Sequence, residues 1–350
     1  MTLDRKAVVK EAVAHRATAV TPYFFTWEGD VGRGDIGVRL DAHYGGRAWR
    51  NRYRNYVQWC PGADDGLYRA GPDYIRDVYG SGWRRDRRPV HLIDPVLKRP
   101  SLSGYTFPDP DALFPGDWEQ RACEEIERHA DCFTMAGIGQ GLFERCWGLR
   151  GFLETLTDCA AEPEFFRDLV AAITEHQLQL IDRLLTVPFD AILLSDDWSD
   201  QRGVMIGPER WREVIKPAVA GLYRRIRSGG RCVIQHSCGS VAEIIPDLIE
   251  IGLDVLESVQ PEAAGMDPYA LKDRFGDRLT FWGGLGSQSV IPHGKPEELC
   301  REIRRLAAHM GRDGGFIIAP SKSLQPETPV ENAAAMLEEF LMLGEESAYT

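Results

Sequence analysis

The chain has 350 residues, 43% of them hydrophobic and 27% charged, and its 41 Lys and Arg against 53 Asp and Glu leave a formal charge of −12. This composition excludes disorder as the main state, because such a chain buries a large core without disulfides or a structural metal. The acidic balance argues against a nucleic-acid partner, since phosphate binding needs a positive face, and no apolar run approaches the ~18 residues of a transmembrane helix.

The length allows two domains, or one α/β barrel of roughly 250 residues with additions. Met1-Thr2-Leu3-Asp4-Arg5-Lys6 lacks the apolar segment of a signal peptide. Eight cysteines (60, 123, 132, 146, 159, 232, 238 and 300) are scattered without a framework. They read as reduced thiols, most of them small buried apolar residues, in a cytoplasmic protein. Residues 5–16 read as a short helix, and Ala19 to Trp27 as a buried strand interrupted by Pro22. Between 28 and 115 the pattern changes. Gly, Pro, Asp, Arg and aromatics crowd together, and short β-rich pieces at 56–59 and 90–93 are separated by turn signals such as Pro61-Gly62 and Asp65-Gly66. This is the signature of an elaborated cap over a site, since linkers are not rich in Trp and Tyr. Its basic run, Arg84-Arg85-Asp86-Arg87-Arg88, is short, contains an acid and reads as a solvated loop.

From 116 to 350 strands and helices alternate. Strands are predicted at 133–137, 191–194, 232–234, 253–256, 279–282 and 316–318. Helices are predicted at 141–160, 163–186, from Pro208 to the Gly229-Gly230 stop, and at 240–251, 268–275, 296–310 and 329–343. Such βα repeats imply a parallel sheet, open or closed into a barrel. A barrel wants eight strands; seven are evident, and the other is sought between 88 and 135.

The segments at the strand ends carry the chemistry. Asp196-Asp197-Trp198, His236-Ser237-Cys238-Gly239, Glu257-Ser258-Val259-Gln260-Pro261-Glu262, Gly283-Gly284-Leu285-Gly286-Ser287-Gln288 and Pro320-Ser321-Lys322 each lie just past a strand. In a barrel these positions converge on the C-terminal mouth, where active sites sit, so a small-molecule enzyme is expected. In an extended segment, residues i and i+2 point the same way, so the imidazole of His236 and the thiol of Cys238 can reach one ion. The alternative is a satisfied core histidine beside an inert cysteine. Asp196 and Asp197 are adjacent, so only one can face the centre; each reads as an acid/base, a ligand anchor, or an N-cap. Glu257 and Gln260 can supply a third ligand or orient substrate, and Glu262 reads as a cap for the next turn. Lys322 can pair with the carboxylates, bind an anionic substrate or form a Schiff base. The glycines at 283–286 can cradle a phosphate or simply allow tight packing. Tyr23, Phe24, Phe25, Trp27 and Trp198 can line an apolar pocket, with core packing as their default.

Several of these segments are similar to the uroporphyrinogen decarboxylase superfamily, in its decarboxylase-like branch. They are Asp196 to Gly203, His236-Ser237-Cys238-Gly239-Ser240, Val259 to Asp267, Phe281-Trp282-Gly283-Gly284, and Ile318-Ala319-Pro320-Ser321 with Gln325 to Pro329. The resemblance covers about residues 130–345 and implies a distorted (β/α)8 TIM barrel. On that basis 1–27 is an N-terminal helix and first barrel strand, 28–115 an irregular β-rich cap inserted after that strand, and 116–350 the rest of the barrel.

The superfamily's two activities differ at the site. Uroporphyrinogen decarboxylases carry an Arg-rich N-terminal segment for a polyacidic tetrapyrrole, whereas here no Arg precedes Arg33 in the run just past the first strand. The other activity is methyl transfer from methyl-corrinoid proteins to a thiol, with zinc held by a His-x-Cys pair and a distant Cys. His236 and Cys238 match that pair. The loop after the last strand reads Ser321-Lys322-Ser323, without a Cys. Asp196, Asp197, Glu257 or Gln260 must substitute, and Glu257 is the expected third ligand.

The expected function is therefore zinc-dependent methyl or group transfer from a corrinoid or small-molecule donor, with a corrinoid protein as possible partner. Asp196, Asp197 and Lys322 are the expected catalytic groups. Tyr23, Phe25, Trp27, Trp198, Gln201, Gln260, Gly284 and Gln288 are the expected substrate contacts. Two alternatives are a metal-free decarboxylase or lyase on a small acid or tetrapyrrole, and a non-catalytic corrinoid or tetrapyrrole binder. No nucleic acid or membrane is expected as a partner; an oligomer is possible.

Overall fold

The strands, in chain order, are β1 (Val57–Trp59), β2 (Tyr74–Arg76), β3 (Gly82–Arg84), β4 (His91–Asp94), β5 (Phe133–Ile138), β6 (Ala191–Ser195), β7 (Cys232–His236), β8 (Val255–Val259), β9 (Thr280–Leu285) and β10 (Phe316–Pro320). They come from a computed structural model that describes residues 4–28, 35–67, 71–86 and 90–344. Seven of them form one parallel sheet in the order β1-β5-β6-β7-β8-β9-β10, and β2-β3-β4 form a separate antiparallel sheet.

Residues 22–27 fill the gap between the edges of the large sheet. Ile318 N–H donates to the Pro22 carbonyl (2.9 Å), Phe24 N–H to the Ile318 carbonyl (2.9 Å) and Leu324 N–H to the Thr26 carbonyl (3.0 Å). On the β1 side the backbone supplies one bond, Tyr56 N–H to the Tyr23 carbonyl at 3.2 Å. The Asn55 side chain completes the seam: its Oδ1 accepts from Phe25 N–H (2.8 Å) and its Nδ2 donates to the Phe25 carbonyl (2.9 Å). Pro22 has no N–H to offer, so this eighth segment is irregular, and the barrel is distorted there. The strand sought between 88 and 135 is therefore β1 at 57–59, inside the segment expected to be cap throughout. It is only three residues long, and Gln58 interrupts its apolar pattern.

Helices cover the outside of the barrel. The longest, Pro163–Leu184, starts with Pro at its first position and buries Phe166, Leu169, Val170, Ile173, Gln177, Leu180, Ile181 and Leu184, a stripe at helical spacing. The run expected from Pro208 contains a π-helical turn, Trp211–Ile215, before the helix Lys216–Ser228. Pro217 explains it, because its ring would clash with the Glu213 carbonyl in an unbroken α-helix. The widened turn lets Lys216 N–H reach the Trp211 carbonyl instead.

The cap docks through buried charge. Arg145, 2% exposed, reaches Asp65 (2.9 Å) and lies 3.7 Å from the Tyr79 ring centre, with Asp77 3.8 Å away. Asp77 accepts from Ser81 N–H (2.9 Å) and from the indole of Trp83 (2.8 Å). The Tyr79 hydroxyl meets His176 Nε2 on the long helix at 3.2 Å. The chain leaving β1 lies flush against β5. Cys60 N–H donates to Met135 (2.8 Å) and Ala63 N–H to Gly137 (3.2 Å), and a Cβ on Gly62 would stand 2.7 Å from the Gly137 carbonyl. The basic run, expected to be a solvated loop, begins instead in β3: Arg84 ends that strand and pairs with Asp86, and the half-buried Arg85 holds the Leu67 and Pro72 carbonyls. Arg87, Arg88 and Arg33 lie outside the described residues. All eight cysteines are free thiols, and no helix of the described residues is long and apolar enough to cross a membrane.

Candidate metal centre

Strands β6, β7 and β8 end side by side, with Ser195 level with His236 and His236 level with Glu257. Three potential ligand atoms meet there. His236 Nε2 stands 3.3 Å from Cys238 Sγ and 3.6 Å from Asp197 Oδ1, and all three lie within 4.8 Å of one another. One imidazole, one thiol and one carboxylate around a common point fit a tetrahedral zinc site with three protein ligands and one open position. A carboxylate supplies the third donor where the resemblance leads one to expect a second thiolate.

Each ligand is held by its surroundings. Gly239, at φ 80°, turns the loop after His236, and a Cβ there would stand 2.5 Å from the Asp200 carbonyl oxygen. Only glycine tolerates that conformation and that approach. Cys238 N–H donates to Asp197 Oδ1 (2.7 Å), tying two ligands together. Glu257 hydrogen-bonds His236 Nδ1, which aims Nε2 at the cluster. Burial pulls the imidazole pKa down, but the Glu257 and Cys238 charges outweigh it and lift it well above the usual histidine value. Glu257 is thus the partner that orients the histidine, and Asp197 stands in the ligand position expected of Glu257.

Asp196 does different work from its neighbour. It is 2% exposed and accepts from Phe143 N–H (3.0 Å), Glu144 N–H (2.8 Å) and the Trp198 indole (2.6 Å). It therefore caps the helix Leu142–Arg150 from a distant strand. A Cβ on Gly141 would stand 2.5 Å from Asp196 Cβ, so glycine is needed where the helix meets this cap. Burial raises the Asp196 pKa to about 6, opposed by the amides it caps. The first turn of that helix carries Glu144, whose pKa lies well above the carboxylate range because of burial and then the charges of Asp197 and Asp196. Glu144 drew no notice in the sequence, where nothing distinguishes it from a surface helix glutamate.

Two chambers flank the cluster. One, of about 270 Å³, is lined by Phe24, Glu28, Trp59, His236, Glu257, Trp282 and Lys322, among others. The other, of about 410 Å³, lies under the cap beside Asp65, Gln140, Glu144, Arg145 and Trp147. A third cavity, of about 250 Å³, shares Trp59 with the first chamber and Ser195 with the second.

Of the five aromatics expected to line a pocket, Phe24 alone borders the smaller chamber. Side chains alternate along 22–27, so Tyr23 and Phe25 point outward and pack on Phe340. Trp27 packs on Trp49 and Tyr53, and Trp198, 1% exposed, on Trp211. Gln260 is buried with its Oε1 on Gly239 N–H (3.1 Å), shaping the ligand loop from behind. Gln201 and Gln288 are exposed away from the chambers. Gly284 borders a separate outer cleft with Gly286, Glu298 and Arg301. The glycines at 283–286 serve packing: a Cβ on Gly283 would stand 2.8 Å from Val259 N, and Glu262 Oε1 already accepts from Gln288 N–H and Ser289 Oγ. Trp59 and Trp282 are pocket aromatics that the sequence pattern did not reveal.

The uroporphyrinogen decarboxylase (URO-D) family model matches residues 140–340. A methylcobamide:CoM methyltransferase MtaA of Methanosarcina barkeri is 22% identical over 178 residues, covering 50% of this chain and 48% of that protein. A uroporphyrinogen decarboxylase of Carboxydothermus hydrogenoformans is 23% identical over 180 residues, covering 50% and 47%. The chain thus matches about half the length of these curated relatives. A solved methyltransferase from Methanosarcina mazei has the same fold, with a TM-score of 0.69 at 15% identity over 96% of this chain and 98% of that one.

Proposed function

We propose that this chain, which belongs to the uroporphyrinogen decarboxylase family, is a metal-dependent methyl or group transferase. The observation that carries the reading is the convergence of His236, Cys238 and Asp197 within 4.8 Å. Zinc in that position would keep an acceptor thiol ionised and nucleophilic at neutral pH. Similarity to the enzyme named methylcobamide:CoM methyltransferase supports methyl as the group and a thiol as the acceptor.

The chain's own groups divide the remaining work. Glu257 fixes the tautomer and direction of His236. Asp197 adds a negative charge that offsets the ion's. Lys322, on the rim of the smaller chamber, meets the anionic end of a bound molecule. At about 270 Å³ this chamber lies below the ~300–1,000 Å³ of drug-sized sites. It suits a compact substrate. A corrinoid would have to present its methyl group from outside the mouth, on a partner protein.

A carboxy-lyase acting on a small acid is the second reading. It is favoured by Glu144, a carboxyl beside the cluster whose pKa burial and then the Asp197 and Asp196 charges push well above the usual carboxylate range. Metal content separates the two. Protein purified without a histidine tag is expected to hold about one equivalent of zinc by plasma mass spectrometry, and Cys238→Ala is expected to lose it. Absence of metal in both would end the transferase reading and leave Glu144 and Lys322 as the centre of a metal-free lyase.

A further inference from the structure

The smaller chamber carries a recognition pattern of its own. Trp59 stands on a barrel strand, where side chains normally pack against one another, yet it is 44% exposed. Its position is fixed: a Cβ on Gly137 would stand 3.0 Å from Trp59 Cζ3, so the ring rests on a glycine backbone that leaves it room. Phe24 and Trp282 add two more rings, in edge-to-face contact with centres 5.2 Å apart. Glu28 and Glu257 border the same space. Three aromatic rings with carboxylates form the surroundings in which an organic ammonium is attracted by ring faces and by charge at once. Lys322 is exposed, lines the cavity, and its Nζ makes no hydrogen bond or ion pair among the described residues. Rings and carboxylates that favour a cation, with a single ammonium in the same lining, match a compact zwitterion.

We infer that this chamber binds a small methylated-ammonium carboxylate as the methyl donor, with the ammonium among Phe24, Trp59 and Trp282 and the carboxylate on Lys322. The inference rests on the transferase reading and supplies its donor. In the step, the sulfur of an acceptor thiolate attacks one N-methyl carbon. The S–C bond forms as the C–N bond breaks, and the electron pair stays on nitrogen. A thiolate and a quaternary ammonium thereby become a thioether and a neutral tertiary amine, and no oxidant or further reactant is needed. Trp59 holds the ammonium against the ring face and so sets both its position and the specificity for a cation.

Calorimetry and ligand-observed NMR on the N-methyl signal test the binding directly, on the whole chain with no turnover required. Three probes of similar shape are compared. Trimethylglycine has both charges, 3,3-dimethylbutanoate lacks the ammonium, and choline lacks the carboxylate. Trimethylglycine is expected to bind about tenfold more tightly than either. Trp59→Leu should weaken it about tenfold, and Lys322→Met should erase the preference over choline. Both positions are exposed, so neither variant should impair folding, which circular dichroism checks. Equal binding of 3,3-dimethylbutanoate, or unchanged affinity in Trp59→Leu, would overturn the inference. The metal reading fails separately: Cys238→Ala should lose zinc yet keep its affinity for trimethylglycine. With zinc-loaded protein and a small thiol, dimethylglycine and the S-methyl thioether should appear in equal amounts. Bound trimethylglycine that is never demethylated would overturn the donor assignment.

Discussion

Adjacent carboxylates separate into two roles at Asp196 and Asp197. The backbone turns after Ser195 so that one side chain enters the wall as a remote helix cap and the other enters the mouth. Asp197→Asn should therefore weaken zinc while leaving the fold intact, whereas Asp196→Asn should destabilise the helix that carries Glu144. Glu257→Gln is expected to lower zinc affinity ~10–100-fold without changing the one-to-one stoichiometry at saturation, because it loosens the orientation of His236 and removes no ligand. Competition with a chromogenic chelator measures both quantities, and an unchanged affinity would place Glu257 outside the support of the site. At this scale the sequence placed His236, Cys238 and Lys322 just past strand ends, because spacing after strands is local information. It did not show that Tyr23 and Phe25 face outward, because the inward or outward phase of residues 22–27 depends on register with β10, which no local pattern encodes.

Among the elements, β5 to β10 were legible from unbroken apolar runs bounded by helix stops. β1 was not, since three residues give too little pattern and lie among cap-like turns. The seam beside it relies on one side chain, Asn55, where a full strand would supply a backbone ladder. Asn55→Leu leaves the Phe25 N–H and carbonyl without partners and should cost about 1–3 kcal/mol. A lower urea midpoint with an unchanged slope would show that cost. A midpoint identical to that of the parent chain would mean that the single Tyr56–Tyr23 bond closes the barrel unaided. The π-helical turn was equally hidden, although Pro217 marks its cause in retrospect.

On the scale of the whole molecule, the cap is joined to the barrel by groups that titrate. Burial and then the Arg145 charge lower the His176 pKa to about 4. Tyr79, Phe107 and Arg145 face the ring. The folded protein therefore keeps His176 neutral while the unfolded chain takes up a proton as the pH falls through about 6.5. The stability contribution is complete above 6.5 and is lost progressively down to about 4, by as much as about 3 kcal/mol. Urea unfolding at pH 7.5 and 4.5 should show a larger acid loss for the parent than for His176→Gln. Equal losses would assign acid sensitivity to other groups. An irregular segment with short β pieces was readable there from its turn signals and its Trp- and Tyr-rich composition. Its docking through Arg145 was not, because that arginine sits in an ordinary helical sequence.

The chain that leaves Trp59 is hydrogen-bonded to β5 as far as Ala63 and then enters the cap, so the cap and the Trp59 strand form one mechanical piece. Lifting the cap would strip β1 from the barrel. Ligand exchange is therefore expected to need only side-chain motion at the rim and no opening of a lid. Turnover limited by chemistry would then be insensitive to solvent viscosity, which kcat measured with and without added sucrose checks.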